Sequence, residues 1–147
     1  MSWIDPIYDR TQADVDFANE NRNSPIPLKG ARNAVDLERI TGNIAYARTL
    51  LAALHVSLPA QRSKMVWLMT DVPTAAEIGD ILFDIGALRA ALPIPATMPV
   101  TPVLPLNTYE KMNDAEKILF TTEALLDAMN TEFIQSGESY SGEGDYV

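Results

Sequence analysis

The sequence contains no cysteine and a single histidine, His55. The chain therefore has no disulfide, no thiolate metal ligand and no cysteine nucleophile. One histidine excludes a metal site built from several histidines. A histidine base would also need a nucleophile and an orienting acid beside it, and Ser57 and Ser63 are near only in sequence. We expect a structural role for His55.

Other chemical sites lack their usual pattern as well. The glycines match neither a dinucleotide-binding loop nor a phosphate-binding loop. Asp14 and Asp16 form an Asp-x-Asp pair, but Ala18 stands where a calcium loop supplies its third oxygen. Asp80 and Asp84 are one helical turn apart and, with no histidine partner, are predicted to form a solvated face. The sequence thus predicts no enzyme, no cofactor and no metal.

Long apolar runs and a leader pattern are also missing. No run approaches the ~20 residues that a membrane helix needs. The N-terminus, MSWIDPIYDR, has an acid and a proline where a signal peptide would be basic and then apolar. We expect a protein that is made and folds in a cytoplasm, with no membrane partner.

Basic residues are few, at 11 against 20 acidic residues, which gives a net charge of −9. Nine of the acids lie in residues 107–147, against only Lys111 and Lys117. This charge repels phosphate backbones, so no nucleic-acid partner is expected. A solvated helix face followed by an acidic tail explains the pattern, and a basic protein partner stays open.

Three segments of the 147-residue chain carry apolar residues at alternating spacings of three and four, the period of an amphipathic helix. Further apolar residues beside each stripe widen it beyond a two-helix seam. We predict an all-α fold, a small helical bundle of three to four helices within a helical domain over residues 1–134. The stripes are Leu37, Ile40, Ile44, Ala47, Leu51 and Leu54; Ile78, Ile81, Ile85, Leu88 and Leu92; and Met112, Ala115, Leu119, Thr122, Leu126, Met129 and Phe133.

Helix starts are marked by capping residues. Thr11 precedes Asp14 by three positions, a spacing typical of a helix cap, with Val15 and Phe17 expected to pack. Thr74 and Glu77 have the spacing of a capping box. The predicted caps are Thr11, Asn33, Thr74 and either Asn107 or Thr108.

The connecting segments are irregular. Residues 55–72 contain an apolar run, Met65 to Met69, that could be a strand or a packed loop. The linker at 93–106 is proline-rich and is predicted to be extended, long enough to run back along helix 74–92. Residues 135–147 are predicted to be a flexible, extended acidic C-terminal tail.

Several aromatic residues lie outside the helical stripes. Trp3, Tyr8, Tyr140 and Tyr146 are the predicted assembly-interface residues, because aromatic side chains often anchor protein interfaces. Trp67 has the same position outside the stripes, but packing within a small domain explains it at least as well.

Two motifs stand out in the sequence, YDRTQADVD and LKGARNAVDLERITGNIAYA. They resemble parts of a module common in tail-associated structural proteins of phages and prophages of Gram-positive bacteria. The resemblance continues through WLMTDVPTAAEI and ALRAALPIPA into the last helix, so it covers nearly the whole chain in order. The matching residues are Asp9 to Asp16; Lys29, Gly30, Ala31, Asn33, Ala34, Asp36, Leu37 and Arg39; Trp67, Asp71, Pro73, Thr74, Ala75 and Ala76; and Thr108, Tyr109, Asn113, Asp114, Glu116, Lys117, Ile118 and Leu119.

The sequence departs from the module in two places. NENRNSPIPL replaces the usual segment between the opening and the Lys-Gly-Ala motif, and the segment before Trp67 also differs. The resemblance implies a non-enzymatic virion structural role in a tail, baseplate or fibre attachment. Its implied partners are other virion proteins and copies of the chain in a symmetric ring, within a particle made in a bacterial host. The alternative is a free acidic helical adaptor, or a DNA-mimic inhibitor of a basic protein.

Overall fold

The computed structural model describes residues 3–70, 72–93 and 95–143, with side chains up to residue 129. In these residues the secondary structure is entirely helical, with four helices and no strand. The helices are α1 (Gln12–Glu20), α2 (Ala34–Ala53), α3 (Ala75–Ala91) and α4 (Tyr109–Glu143). The predicted all-α class and small helical bundle are confirmed.

The core lies between α2, α3 and α4, and it is formed by the predicted stripes as far as Leu126. The prediction is wrong for Met129, which is 38% exposed, and the side chain of Phe133 lies outside the description. Each stripe buries one side of its helix because its residues recur every three or four positions. Trp67 and Met98 from the connecting segments, together with Leu106, complete the same core. Packing within the domain therefore accounts for Trp67.

The predicted caps lie at the helix starts. The hydroxyl groups of Thr11 and Thr74 accept hydrogen bonds from the N–H groups of Asp14 and Glu77, and both carboxylates accept in return. Asn33 precedes α2. Of the two residues predicted to cap α4, Thr108 is used, since its hydroxyl accepts from the Lys111 N–H at 3.2 Å.

An extended segment, residues 3–10, crosses α2 and α4; we call it the N-terminal strap. Its last residue, Arg10, contacts Asp36 near the start of α2 and Asn113 near the start of α4. Ile4, earlier in the strap, is hydrogen-bonded to Asn43, which lies further along α2. Ile7 and Tyr8 likewise contact Glu116 and Phe120, which lie further along α4. The strap is thus antiparallel to both helices, so α2 and α4 are parallel.

The segment after α3 returns along that helix. The Arg89 Nε group, near the end of α3, donates to the Pro99 carbonyl at 2.7 Å, whereas Gly79, near the start, faces Leu104. α4 therefore begins at the end of the bundle where α3 begins. All three long helices point in the same direction.

Two further expectations about individual side chains are wrong. Phe17 is 56% exposed and does not pack on the core, because α1 contributes only Ala18 to the buried set. Asp84 does not lie on a solvated face, since it is only 1% exposed.

The C-terminal region bears on the predicted domain division. α4 runs to Glu143 and so includes nine residues of the segment predicted to be an extended tail. Residues 144–147 lie outside the described residues. The boundary at residue 134 stays a prediction.

Candidate assembly surfaces

Two asparagine side chains, Asn43 of α2 and Asn113 of α4, hold the N-terminal strap. Asn43 accepts from the Ile4 N–H at 3.0 Å and donates to the Ile4 carbonyl at 2.7 Å. Asn113 does the same with the backbone of Arg10, at 3.1 and 3.0 Å. Each asparagine side chain thus pairs with one backbone N–H and one carbonyl of the strap, as a neighbouring β-strand would.

Four charged side chains meet beneath the strap; we call them the charge cluster. They are Arg10, Asp36, Arg39 and Glu116, all buried, with Glu116 fully enclosed. Glu116 Oε2 accepts from Arg10 Nη2 at 2.7 Å, and Glu116 Oε1 accepts from Arg39 Nε at 2.7 Å. Asp36 Oδ1 accepts from Arg39 Nη2 at 2.7 Å. The cluster holds two positive and two negative charges and is neutral.

Electrostatics within the cluster favour the charged form of Arg39. Burial alone would lower the pKa of Arg39, but the hydrogen bonds and negative charges of Glu116 and Asp36 raise it. The Ile7 N–H adds a donor to Glu116 at 3.1 Å, which helps to satisfy the carboxylate. Such a cluster is costly to break, because removing one member leaves its partner charged and buried.

The Lys-Gly-Ala motif closes the cluster from the side of α1. The Lys29 carbonyl accepts from Arg10 Nε at 3.2 Å, and the Lys29 ammonium contacts Asp9 at 3.0 Å. That contact lowers the pKa of Asp9. Gly30 lies so close to α1 that a Cβ would be 2.0 Å from the carbonyl oxygen of Asp14. Only glycine fits between the two backbones.

Motif residues that are up to 106 positions apart in sequence thus form one buried unit. Arg10 belongs to the opening motif, Asp36 and Arg39 to the second motif, and Asn113 and Glu116 to the last helix. These groups bind one another through hydrogen bonds and ion pairs. Their role is to fix the strap, α1, α2 and α4.

The aromatic residues predicted to form an interface have different positions. Trp3 is half-buried and packs on Tyr46 with ring centroids 5.7 Å apart. Tyr8 is half-buried against Phe120 at 4.9 Å. Tyr140 falls in the part of α4 whose side chains lie outside the description, and Tyr146 lies outside the described residues. Their interface role stays a prediction.

An apolar surface lies at the end of the bundle where α2 and α3 begin. Exposed side chains surround a cavity of about 270 Å³, with Leu37 and Trp67 at its base. Met69, at 86% exposed, is the most prominent of them. We call this surface the loop patch; its exposed apolar residues are Ile26, Val35, Leu68 and Met69, beside Pro25, Pro27 and Pro73.

Asp84 explains how the loop beneath the patch is held. Its carboxylate accepts from the backbone N–H groups of Arg62 and Ser63 at 2.8–3.1 Å. Further along, the Trp67 N–H donates to Glu38 at 3.3 Å and its indole N–H donates to the Lys64 carbonyl at 3.1 Å. With Trp67 directed into the core, its apolar neighbours in the run from Met65 to Met69 are left outside. The run is a packed loop rather than a strand.

The structure gives the positions of the residues weighed for chemistry. Asp14 caps α1, and Asp16 accepts from the Gln12 side chain at 3.0 Å. His55 is exposed, with a φ of 63° immediately after the residue that ends α2. Across the described ranges, no group of three or more histidine, cysteine or acidic side chains could hold a metal ion. In the same ranges, no helix is both long and apolar enough to cross a membrane.

Comparison with protein-family models, with curated proteins and with solved structures finds no match to this chain.

Proposed function

We propose that this chain is a non-enzymatic structural component of a phage virion, acting by protein–protein assembly in the tail, the baseplate or a fibre attachment. One observation carries the proposal. Five of the residues that resemble the phage tail module, although far apart in the sequence, build the charge cluster or hold the strap: Arg10, Asp36, Arg39, Asn113 and Glu116. A resemblance that selects a coherent structural unit has more weight than scattered matching letters.

The loop patch gives the proposal a surface on which to act. Its lining combines residues 24–27, which lie in a segment where the sequence departs from the module, with residues 32–35, 37, 67–69 and 73 of the motifs that resemble it. Exposed apolar patches rimmed by polar residues are typical of protein interaction sites. A folded domain with an exposed apolar patch suits a component that contacts a neighbouring subunit in the particle.

The proposal is tested on purified particles. Phage particles from an induced lysate are passed through high salt and a density gradient, and mass spectrometry and antibody labelling then locate this chain. We expect stoichiometric recovery, with the label at the tail. Absence from the particles, with the chain left in the soluble fraction, would overturn the proposal.

A pair of substitutions distinguishes specific incorporation of the chain into particles from non-specific adhesion to their surface. Met69→Asp places a carboxylate on the loop patch, whereas Val100→Asp places one at an exposed apolar position of the linker. Because both side chains are largely exposed, neither change should unfold the domain. We expect Met69→Asp to reduce incorporation and Val100→Asp to leave it unchanged.

One observation favours a second function, a free acidic adaptor or DNA-mimic inhibitor of a basic protein. Residues 127–147 contain five acids and no basic residue. A mimic should bind its basic partner through these charges and lose affinity steeply with added salt. Retention on particles through high salt would instead favour the structural role.

A further inference from the structure

The two ends of the parallel bundle differ. The loop patch lies at the end where α2 and α3 begin, since its lining includes Asn33–Val35 and Pro73. α4 begins at that same end and runs away from it. Its last buried residue in the described part is Leu126, yet its backbone continues as a helix to Glu143. At 1.5 Å per residue this continuation spans about 26 Å.

The continuation and the residues after it combine acidic and aromatic character. Residues 127–147 contain five acids and no basic residue. The apolar spacing of α4 also continues into this segment, with Phe133 four positions after Met129 and Tyr140 seven after Phe133. α4 has 35 residues against 20 in α2 and 17 in α3, so it is longer than the parallel helices beside it, and an apolar stripe on the added length needs a surface to cover it.

The loop patch has the complementary character. The residues that line the patch cavity include one charged side chain, the basic Arg32. The adjoining surface, which shares Pro25 and Ile26, carries Arg22 and Glu20. The dipoles of the parallel helices add a positive end here and a negative end at the far side.

We propose that the loop patch binds the acidic, aromatic C-terminal segment, residues 127–147, of a second copy of this chain. Phe133 and Tyr140 would cover the apolar residues around the cavity, while the acids face Arg22 and Arg32. This rests on the proposed function for its biological sense, because it names the first partner of an assembling component.

A second copy is required by the length of α4. The helix has 35 residues, so its C-terminal end lies about 52 Å from its start. The segment is therefore carried away from the patch of its own chain. Contact between two different surfaces is heterologous, so each added copy leaves one patch and one segment free, and the copies close into a ring or continue as a filament.

Self-association is measured first on the full chain by sedimentation velocity and light scattering. We expect a weight-average mass that rises with concentration above the 16.2 kDa of the monomer. Met69→Asp should lower the association constant at least about tenfold, equivalent to 1.4 kcal/mol. Val100→Asp is the matched control and should associate like the original chain. A chain that stays monomeric up to about 1 mM would overturn the inference.

Mixing two variants tests the head-to-tail geometry. The patch variant is Met69→Asp, and the segment variant combines Phe133→Ala with Glu138→Lys. Each alone should associate at least about tenfold more weakly than the original chain, whereas the mixture should form a one-to-one dimer with the original affinity, because one intact patch and one intact segment remain. If the segment variant associates with itself with the original affinity, the contact is between two patches and the inference is wrong. Circular dichroism checks that both variants stay folded.

The outcome is separable from that of the particle experiment. Recovery in particles of a chain that is monomeric when pure would overturn this inference and leave the proposed function in place. Head-to-tail association of a chain that is absent from particles would do the reverse.

Discussion

Replacing Glu116 by glutamine tests whether the charge cluster holds the fold together. The carboxylate is fully buried and accepts from Arg10 Nη2 at 2.7 Å and from Arg39 at 2.7 and 2.8 Å. Glutamine has nearly the same shape but no charge, so two guanidinium groups would remain against Asp36 alone. Removing one partner from a buried ion pair costs about 3–5 kcal/mol. That is a large part of the roughly 5–15 kcal/mol that stabilises a domain.

The assay is urea unfolding followed by tryptophan fluorescence, since Trp67 is buried in the core and becomes exposed on unfolding. Glu110→Gln is the matched control, because it makes the same chemical change at an exposed position in the first turn of α4. Its loss should be limited to about 0.3–1 kcal/mol from the helix dipole. Similar losses in the two variants would refute the reasoning.

A double substitution identifies charge as the cause. Arg39→Met should cost as much as Glu116→Gln, because it leaves an acid without its partner. With both changes, the cluster retains Arg10 and Asp36, one charge of each sign at 3.6 Å. The combined loss should therefore be smaller than the sum of the two single losses by at least about 1 kcal/mol. Losses that add within about 0.5 kcal/mol would show that the cluster does not act as a unit.

The remaining predictions concern single positions. Gly30→Ala should cost at least about 2 kcal/mol in the urea assay, because its Cβ would lie 2.0 Å from the Asp14 carbonyl oxygen. Gly42→Ala, with nothing within 4 Å of the new methyl, should stabilise α2 by up to about 1 kcal/mol. If Gly30→Ala and Gly42→Ala changed the free energy of unfolding equally, the close approach of Gly30 to α1 would be contradicted. Burial and the charge of Asp127 raise the pKa of Glu123, so its ionised form opposes folding above that pKa. Glu123→Gln should therefore stabilise the domain by about 0.5 kcal/mol at pH 7 and have no effect below the ordinary pKa of 4.5; a gain that persists at about pH 3 would count against this cause.

Local patterns predicted the helices and their starts. The stripe from Leu37 to Leu51 is buried because a period of three and four places its residues on one helix face. Thr11 and Thr74 cap their helices because a cap needs only residues three positions away. Asp84 was interpreted wrongly because its partners, the backbone N–H groups of residues 62 and 63, are more than twenty positions away.

The candidate surfaces were partly visible in the sequence. The resemblance marked Arg10 and Glu116, but a separation of 106 residues gives no local signal that they meet. The apolar run around Trp67 was visible as well. Which of its side chains would be buried depends on Asp84 and Glu38, which anchor the loop from two different helices. Long-range polar anchors of this kind leave no periodic trace.

Substitutions in the charge cluster and on the loop patch should affect stability and assembly differently. Residues of the charge cluster hold the strap and helices, so substituting them should lower stability and, through it, every activity. Met69 is 86% exposed on the loop patch, so Met69→Asp should weaken assembly while the free energy of unfolding in urea stays within about 0.5 kcal/mol of the original. Glu116→Gln should instead lower the free energy of unfolding, and assembly should weaken only as a consequence of that loss. If Met69→Asp destabilised the domain as much as Glu116→Gln, Met69 would be needed for folding, and its exposure would not mark a binding surface.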